Sequence, residues 1–141
     1  MSSNTGAMAP RNILIVDDSF VMRALLRGIV TSDPELAVVG EATNGMEALQ
    51  AIKEMSPDLV LLDIEMPHMD GIECLKRLRL QSKVPVVIIS SVAQAGSPQA
   101  LEARKYGAAE VIDKPSGAMS LDLNAKKGHE IVQTIRKVLA L

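Results

Sequence analysis

Five short apolar runs, separated by longer segments of helical spacing, are the feature that most constrains the fold of this chain. The runs are NILIVD (12–17), LAVVG (36–40), DLVLLD (58–63), VPVVIIS (84–90) and AEVID (109–113). Strands that are apolar throughout are buried on both faces, so their alternation with helices indicates a parallel sheet covered on each side. We therefore predict one doubly wound, three-layer α/β domain.

The helices are predicted between and after these strands. The predicted segments lie near 19–31, 44–55, 70–81, 97–106 and 127–140. Oxygen-bearing side chains that could cap the first free amides stand at Ser19, Asn44 and Asp70, and Gly107 is a predicted C-cap. Val21, Leu25 and Ile29 lie on one stripe of the first helix. The stretch KPSGAMSLDLNAKKG (114–128) is interpreted as a long connection before the last helix.

Composition narrows the class of protein. The chain has 141 residues, 48% of them apolar and 23% charged, which is typical of a globular domain. A formal net charge of -2 and only two aromatic residues argue against a nucleic-acid or membrane surface. The lone Cys74 suits a reducing cytoplasm. We interpret residues 1–10 as a disordered leader or an expression remnant, and 11–141 as the domain.

Polar side chains stand where four of the predicted strands end. Asp17 and Asp18 follow the first strand, Asp63 ends the third, Ser90 ends the fourth and Lys114 follows the fifth. If the strand order is 2-1-3-4-5, strands one and three are neighbours. The three aspartates then meet at the carboxyl edge of the sheet, where doubly wound folds place their sites.

Such a cluster of carboxylates needs a counter-charge. Two carboxylates about 4 Å apart repel by about 4 kcal/mol at an effective dielectric of roughly 20. A hard divalent cation with oxygen ligands, such as Mg²⁺, is the natural partner, and Lys114 could neutralise more charge. Taken singly, the Asp pair could open a helix, Ser90 could be a cap and Lys114 a solvated charge. Their combination favours a site.

The segments ILIVDDS, LVLLDIEMPHMDG, VVIIS and DKP, in this order, resemble the signature of bacterial response-regulator receiver domains. The resemblance covers nearly the whole chain after the first ten residues. It implies a flavodoxin-like (βα)5 domain, a phosphorylatable aspartate, a required Mg²⁺ and a partner histidine kinase. By position, it implies that Asp63 is the phosphoacceptor. It also implies metal ligation by Asp17, Asp18, Asp63 and the backbone carbonyl of Glu65.

The same resemblance implies how the site switches. Ser90 would be the hydroxyl that follows the phosphoryl group, and Lys114 the ion-pair lysine, with a cis bond to Pro115. The chain departs from the pattern at Val111, where receivers usually carry Phe or Tyr. Either the switch uses Ser90 and the region of the fourth helix alone, or Tyr106 or another residue substitutes. Glu65 should lie near the path of an attacking water, with an effect on phosphoryl lifetime whose sign is open.

One branch of the family is more similar than the rest. DIEMP, the pair Ser90–Ser91 and KPSGAMSLDL resemble the regulatory domain of chemotaxis protein-glutamate methylesterases, in which an esterase domain follows the receiver. This chain has no G-x-S-x-G elbow, and His68 and His129 are predicted surface residues, so we expect no esterase activity. We interpret it as an excised regulatory domain or a stand-alone regulator. Family analogy implies an output face on helix four, strand five and helix five.

Two other functions remain open. An aspartyl-phosphate phosphatase would use a similar sheet, but it requires D-x-D followed by Thr or Val, and this chain has DIEMP. A receiver acting only by protein binding, as a phosphate sink or dimer, would have the same chemistry. The strand DLVLLDIE is similar to a Walker B strand, but no G-x-x-x-x-G-K-[ST] loop accompanies it.

Overall fold

A five-stranded parallel sheet forms the centre of the protein, seen in a computed structural model. The strands are β1 (Arg11–Val16), β2 (Leu36–Ala42), β3 (Leu59–Asp63), β4 (Val86–Ser90) and β5 (Glu110–Asp113). They lie in the order β2-β1-β3-β4-β5, and every neighbouring pair is parallel, which confirms the predicted flavodoxin-like topology. The structure describes residues 9–91, 97–115 and 121–141, without the side chains of 121–123.

A helix follows each strand. The helices are α1 (Phe20–Thr31), α2 (Gly45–Met55), α3 (Gly71–Leu78), α4 (Pro98–Lys105) and α5 (Leu121–Val138). None of the helices in the described ranges is long and apolar enough to cross a membrane. Most of the predicted leader, residues 1–8, lies outside the described residues, and β1 begins at Arg11.

The core consists of two apolar layers, one on each face of the sheet. Alternate residues of β1 enter opposite layers: Leu14 and Val16 join the cluster that includes α2 and α3. Ile13 and Ile15 join the cluster that includes α1 and α5. This division explains why the strands are apolar without interruption, because both faces of each central strand are covered.

The three predicted N-caps are present at the starts of α1, α2 and α3. The Ser19 hydroxyl accepts from the amide of Met22 at 3.1 Å. The equivalent bonds are Asn44 Oδ1 with Glu47 N and Asp70 Oδ1 with Glu73 N, both at 2.9 Å. Gly107, at φ +94°, follows α4 in the left-handed conformation that favours glycine, as predicted.

The buried stripe of α1 is one residue away from the stripe of Val21, Leu25 and Ile29. Val21 is 74% exposed and Leu25 38%, whereas Leu26 and Val30 are buried. Both stripes are apolar, so hydrophobic periodicity alone could not choose between them. The unexpected exposure leaves an apolar strip at the start of α1, close to the end of β1.

The predicted long connection from 114 to 128 is wrong over its second half, because α5 begins at Leu121. Residues 116–120 lie outside the described part of the chain. Gly128 has the character of a helix breaker in the sequence, but it lies within α5 and is buried. A Cβ there would stand 3.3 Å from Ile29 Cγ1, so this glycine lets α5 pack closely on α1.

Gly71 joins the start of α3 to the end of β3. Its amide donates to the carbonyl of Ile64 at 2.8 Å. A Cβ on Gly71 would overlap the carbonyl oxygen of Asp63 and lie 2.8 Å from Ile64 Cα. Only glycine permits this approach, so the backbone at Asp63 is fixed in part by the absence of a side chain eight positions later.

We predict that Gly71→Ala lowers the free energy of unfolding by about 2–3 kcal/mol, because the new methyl would displace the end of β3. Gly28→Ala is the matched control: its Cβ would meet nothing within 4 Å, in the middle of α1. We expect that change to stabilise by about 0.5–1 kcal/mol. Urea unfolding measures both variants, and wild-type stability in Gly71→Ala would contradict the contact.

Candidate functional site

The sheet brings the predicted aspartates together at its carboxyl edge. Val16 of β1 is in register with Leu62 of β3, so Asp17 and Asp63 are the next residues on two neighbouring strands. Ligand oxygens of Asp17, Asp18 and Asp63 lie within 4.8 Å of one another. Asp17 and Asp63 are buried and Asp18 is exposed, so the cluster reaches solvent at Asp18.

Lys114 follows β5, the strand at one side of the sheet, and its side chain extends to this cluster. Its amide donates to the carbonyl of Ser90 at 3.0 Å, which continues the pairing of β4 with β5 past Asp113. Its Nζ lies 2.9 Å from Asp17 Oδ2 and 3.1 Å from Asp63 Oδ1. Burial alone would lower the pKa of Lys114. The hydrogen bond to Asp17 and the charges of Asp63 and Asp17 outweigh burial and raise that pKa above its ordinary value.

Asp63 has one bonded and one unsatisfied oxygen. Its Oδ1 accepts from the amide of Glu65 at 3.2 Å and contacts Lys114. Its Oδ2 is buried and has no hydrogen-bond partner among the described residues. A buried carboxylate oxygen left without a donor is costly, so Asp63 Oδ2 is suited to a ligand or a reacting group.

The environment also changes the charge of Asp63. Burial, and then the negative charge of Asp17, raise the pKa of Asp63 from 3.8 to about 7, against the opposing effect of Lys114. In the metal-free protein Asp63 is therefore not an ordinary, fully ionised carboxylate. Near neutral pH the protonated and the ionised forms of Asp63 are both populated, and a bound cation would favour the ionised form.

Asp17 is held by a backbone amide and by an arginine side chain that the sequence analysis did not assign to the site. Its Oδ1 accepts from the amide of Ser19 at 2.8 Å, and its backbone carbonyl accepts from Arg23 Nη1 at 2.8 Å. Arg23 is itself oriented by Glu41, with Nε 3.0 Å from Oε1. The only signal in the sequence is a basic residue one turn after the cap of α1, which is too common to identify such a role.

Glu65 contacts the end of β4 through its side chain. Ser90 Oγ donates to Glu65 Oε2 at 2.5 Å, and Ser91 Oγ donates to Glu65 Oε1 at 3.0 Å. The amide of Ser91 also approaches Oε1, at 3.4 Å. Sequence reasoning placed Glu65 near the path of a water, whereas its carboxylate is engaged by two hydroxyls, and nothing in the sequence pairs residues 65 and 91.

The donor set fits a hard divalent cation. All three side chains of the cluster offer carboxylate oxygens, Asp18 is exposed, and Asp63 Oδ2 has no donor among the described residues. Mg²⁺ binds through a few carboxylates and retains waters, which matches a site that is half closed. Asp17, Asp18, Asp63 and the carbonyl of Glu65 are the groups that could hold it.

Other residues singled out in the sequence lie around this site. No cis peptide bond occurs in the described residues, so the cis bond implied between Lys114 and Pro115 is wrong. Val111 is half-buried in β5, and Lys76 Nζ lies 4.9 Å from the centroid of the Tyr106 ring. The predicted surface positions of His68 and His129 are confirmed, since both are exposed.

Comparisons with known proteins match most of this chain. A family model for the response regulator receiver domain matches residues 13–126. The chain is 43% identical over 129 residues to a protein-glutamate methylesterase/protein-glutamine glutaminase of Syntrophomonas wolfei, covering 92% of this chain and 36% of that relative. The relative of the same name in Halalkalibacterium halodurans is 50% identical over 111 residues, which cover 79% of this chain and 32% of that one. The chain thus spans about a third of the length of these relatives.

Solved structures show the same fold. The response regulator domain of Thermotoga maritima CheB superimposes with a TM-score of 0.86 at 36% identity, covering 94% of this chain and 98% of that one. A chain in the complex of the P1 domain of CheA3 with CheY6 from R. sphaeroides gives a TM-score of 0.77 at 41% identity. That match covers 95% of this chain and 100% of the other.

We predict that Asp63→Asn stabilises the metal-free protein by about 1–3 kcal/mol at a pH of about 8. The unfolded chain releases this proton near 3.8 and the folded protein near 7, so wild-type stability falls as pH rises through that window. The gain should therefore be small at a pH of about 4 and level off above 7. Urea unfolding in EDTA measures it, with the exposed Asp113→Asn as the control. A gain that does not depend on pH would contradict the raised pKa of Asp63.

Proposed function

Since this chain belongs to the family of response regulator receiver domains, we propose that it accepts a phosphoryl group on Asp63 from a histidine kinase. The observation that carries the proposal is Asp63 Oδ2, buried at the end of β3 with no donor among the described residues. Lys114 and two further aspartates surround it. Such a setting is costly for a structural carboxylate and suits one that reacts.

The chain's own residues account for the transfer chemistry. Oδ2 of ionised Asp63 would attack the phosphorus, forming an O–P bond as the P–N bond to the kinase imidazole breaks, and the imidazole takes up a proton. Phosphoryl transfer depends mainly on positioning and charge compensation. Pairing of β3 with β1 and β4 fixes the carboxylate, and Lys114 Nζ, 3.1 Å from Oδ1, is within reach of a phosphoryl oxygen. Bound Mg²⁺ would supply further neutralisation of the phosphoryl oxygens.

Ser90 is the proposed reporter of phosphorylation. It is fully buried at the end of β4, one residue after Ile89, which is in register with Asp63. An acyl phosphate adds nearly two charges and three acceptor oxygens beside it. We propose that the Ser90 hydroxyl turns to one of these oxygens and biases the face formed by α4, β5 and α5. In the longer relatives that face would act on a methylesterase domain.

The phosphatase alternative finds no support in the site. Its second acid should face the acceptor, whereas the Glu65 carboxylate accepts from Ser90 and Ser91. We therefore propose a phosphoacceptor that signals by protein contact, not an enzyme that turns over phosphate esters. Whether it serves a methylesterase domain or separate partners, the acceptor chemistry is the same.

An exposed apolar strip beside the site supports a protein donor. Phe20 is 75% exposed and Val21 is 74% exposed at the start of α1, immediately after the Asp17–Asp18 pair. Exposed large apolar side chains next to a reactive group are typical of a docking surface. A kinase domain seated there would place its phosphohistidine over Asp63.

We predict that beryllofluoride with Mg²⁺ shifts the backbone amides of Asp63, Ser90 and Lys114, since these residues would surround the phosphoryl mimic. Asp63→Asn should abolish the shifts, and Asp113→Asn, an exposed aspartate at the end of β5, should preserve them. Two-dimensional amide spectra at increasing beryllofluoride make the measurement. Equal shifts in Asp63→Asn would place the acceptor elsewhere.

A second prediction separates docking from chemistry. The double variant Phe20→Ala/Val21→Ala should slow transfer from a phosphorylated chemotaxis histidine kinase by about tenfold, because anchoring apolar contacts are lost. Labelling by a small phosphodonor should keep its wild-type rate. Leu80→Ala, an 89% exposed residue after α3, serves as the control. Loss of both activities would implicate the fold, and loss of neither would remove this strip from the donor surface.

A further inference from the structure

The Glu65 carboxylate holds the end of β4 through two consecutive residues. Oε2 accepts from the Ser90 hydroxyl at 2.5 Å, and Oε1 accepts from the Ser91 hydroxyl at 3.0 Å. Hydrogen bonds to an ionised acceptor are stronger than neutral ones. The side chain two positions after the acceptor therefore engages the residue proposed to report on the acceptor's state.

A hydroxyl has one proton, and here that proton is committed. Ser90 cannot donate to Glu65 and, with the same proton, to a phosphoryl oxygen on Asp63. The backbone at Ser90 is held in the pairing of β4 with β5, because Ser90 is in register with Asp113 and its carbonyl accepts from Lys114 N. The reorientation of Ser90 therefore requires loss of its bond to Glu65.

The surroundings of the Glu65 side chain allow its bond to Ser90 to break. Glu65 is half-buried and lines an open cavity of about 590 Å³ between α3 and α4. Its backbone amide stays on Asp63 Oδ1, so only the side chain would have to move. A carboxylate released from Ser90 can turn into this cavity and recover its hydration there.

We propose that Glu65 is a latch: its carboxylate holds Ser90 and Ser91 in the unphosphorylated arrangement and competes with the phosphoryl group for the Ser90 proton. This inference rests on the proposed phosphoacceptor function. Because the bond between Glu65 and Ser90 must break first, it raises the concentration of phosphoryl mimic needed to switch the protein. Glu65 acts through Ser90, so it is a positioning residue and not a catalytic one.

The test is a double-mutant cycle between residues 65 and 90, read as the beryllofluoride concentration that half-saturates the amide shifts with Mg²⁺ present. The latch predicts that Glu65→Ala lowers this concentration by about tenfold. In a Ser90→Ala background, where there is no hydroxyl to release, the same change should have at most about a twofold effect. Ser91→Ala, which removes only the second hydroxyl bond, should lower it by about threefold.

Simple charge repulsion makes a different prediction. If Glu65 acted only by repelling the anion, Glu65→Ala would have the same effect in both backgrounds and Ser91→Ala would have none. Glu73→Ala controls for charge, because Glu73 lines the same cavity but pairs with Arg77 at 3.0 Å. We expect it to leave half-saturation unchanged. Equal effects of Glu65→Ala in both backgrounds, or no effect, would overturn the latch.

A second measurement does not depend on the proposed function. Without any phosphoryl mimic, Glu65→Ala should shift the Ser91 amide proton upfield, because its Oε1 acceptor is removed. Two results together would overturn the phosphoacceptor function alone. These are a wild-type spectrum that does not change with beryllofluoride and a Ser91 amide that still shifts in Glu65→Ala. A normal beryllofluoride response with an unchanged Ser91 amide would overturn the latch alone.

Discussion

The crowding of three carboxylates at one edge of a rigid sheet is the constraint on which the rest of this structure depends. Register between β1 and β3 forces Asp17 and Asp63 together, and burial deprives both of water. Burial, and then the negative charge of Asp17, raise the pKa of Asp63, and Lys114 offsets only part of this effect. The site is thus under electrostatic stress that a cation or a proton relieves, and this stress makes Asp63 responsive to what binds beside it.

The same constraint connects the acceptor to the surface. Asp63, Glu65 and Ser90 form a short chain of contacts, from Oδ1 to the amide of Glu65 and from its carboxylate to the hydroxyl. Gly71 keeps that segment in place by letting α3 approach the backbone of Asp63. In the proposed function, these two contacts would link a change of charge on Asp63 to the end of β4.

Much of this arrangement was predictable from the sequence. Local sequence signals marked the apolar strands, the capping residues and the polar strand ends at Asp17, Asp63 and Lys114. The strand topology and the clustering of the aspartates could therefore be predicted. The buried stripe of α1 did not follow, because two adjacent stripes are equally apolar. The start of α5 was missed because Gly128 resembles a breaker until Ile29 is seen beside it. The contact of Glu65 with Ser91 depends on side-chain direction across 26 positions, which spacing cannot reveal.

The most direct test of the central claim is chemical. The protein would be incubated with Mg²⁺ and acetyl phosphate, the acyl phosphate trapped by borohydride reduction, and the modified peptide located by mass spectrometry. The account predicts homoserine at position 63 and nowhere else among the aspartates. Reduction at Asp17 or Asp18, or a protein that remains unmodified while its fold is intact, would contradict it.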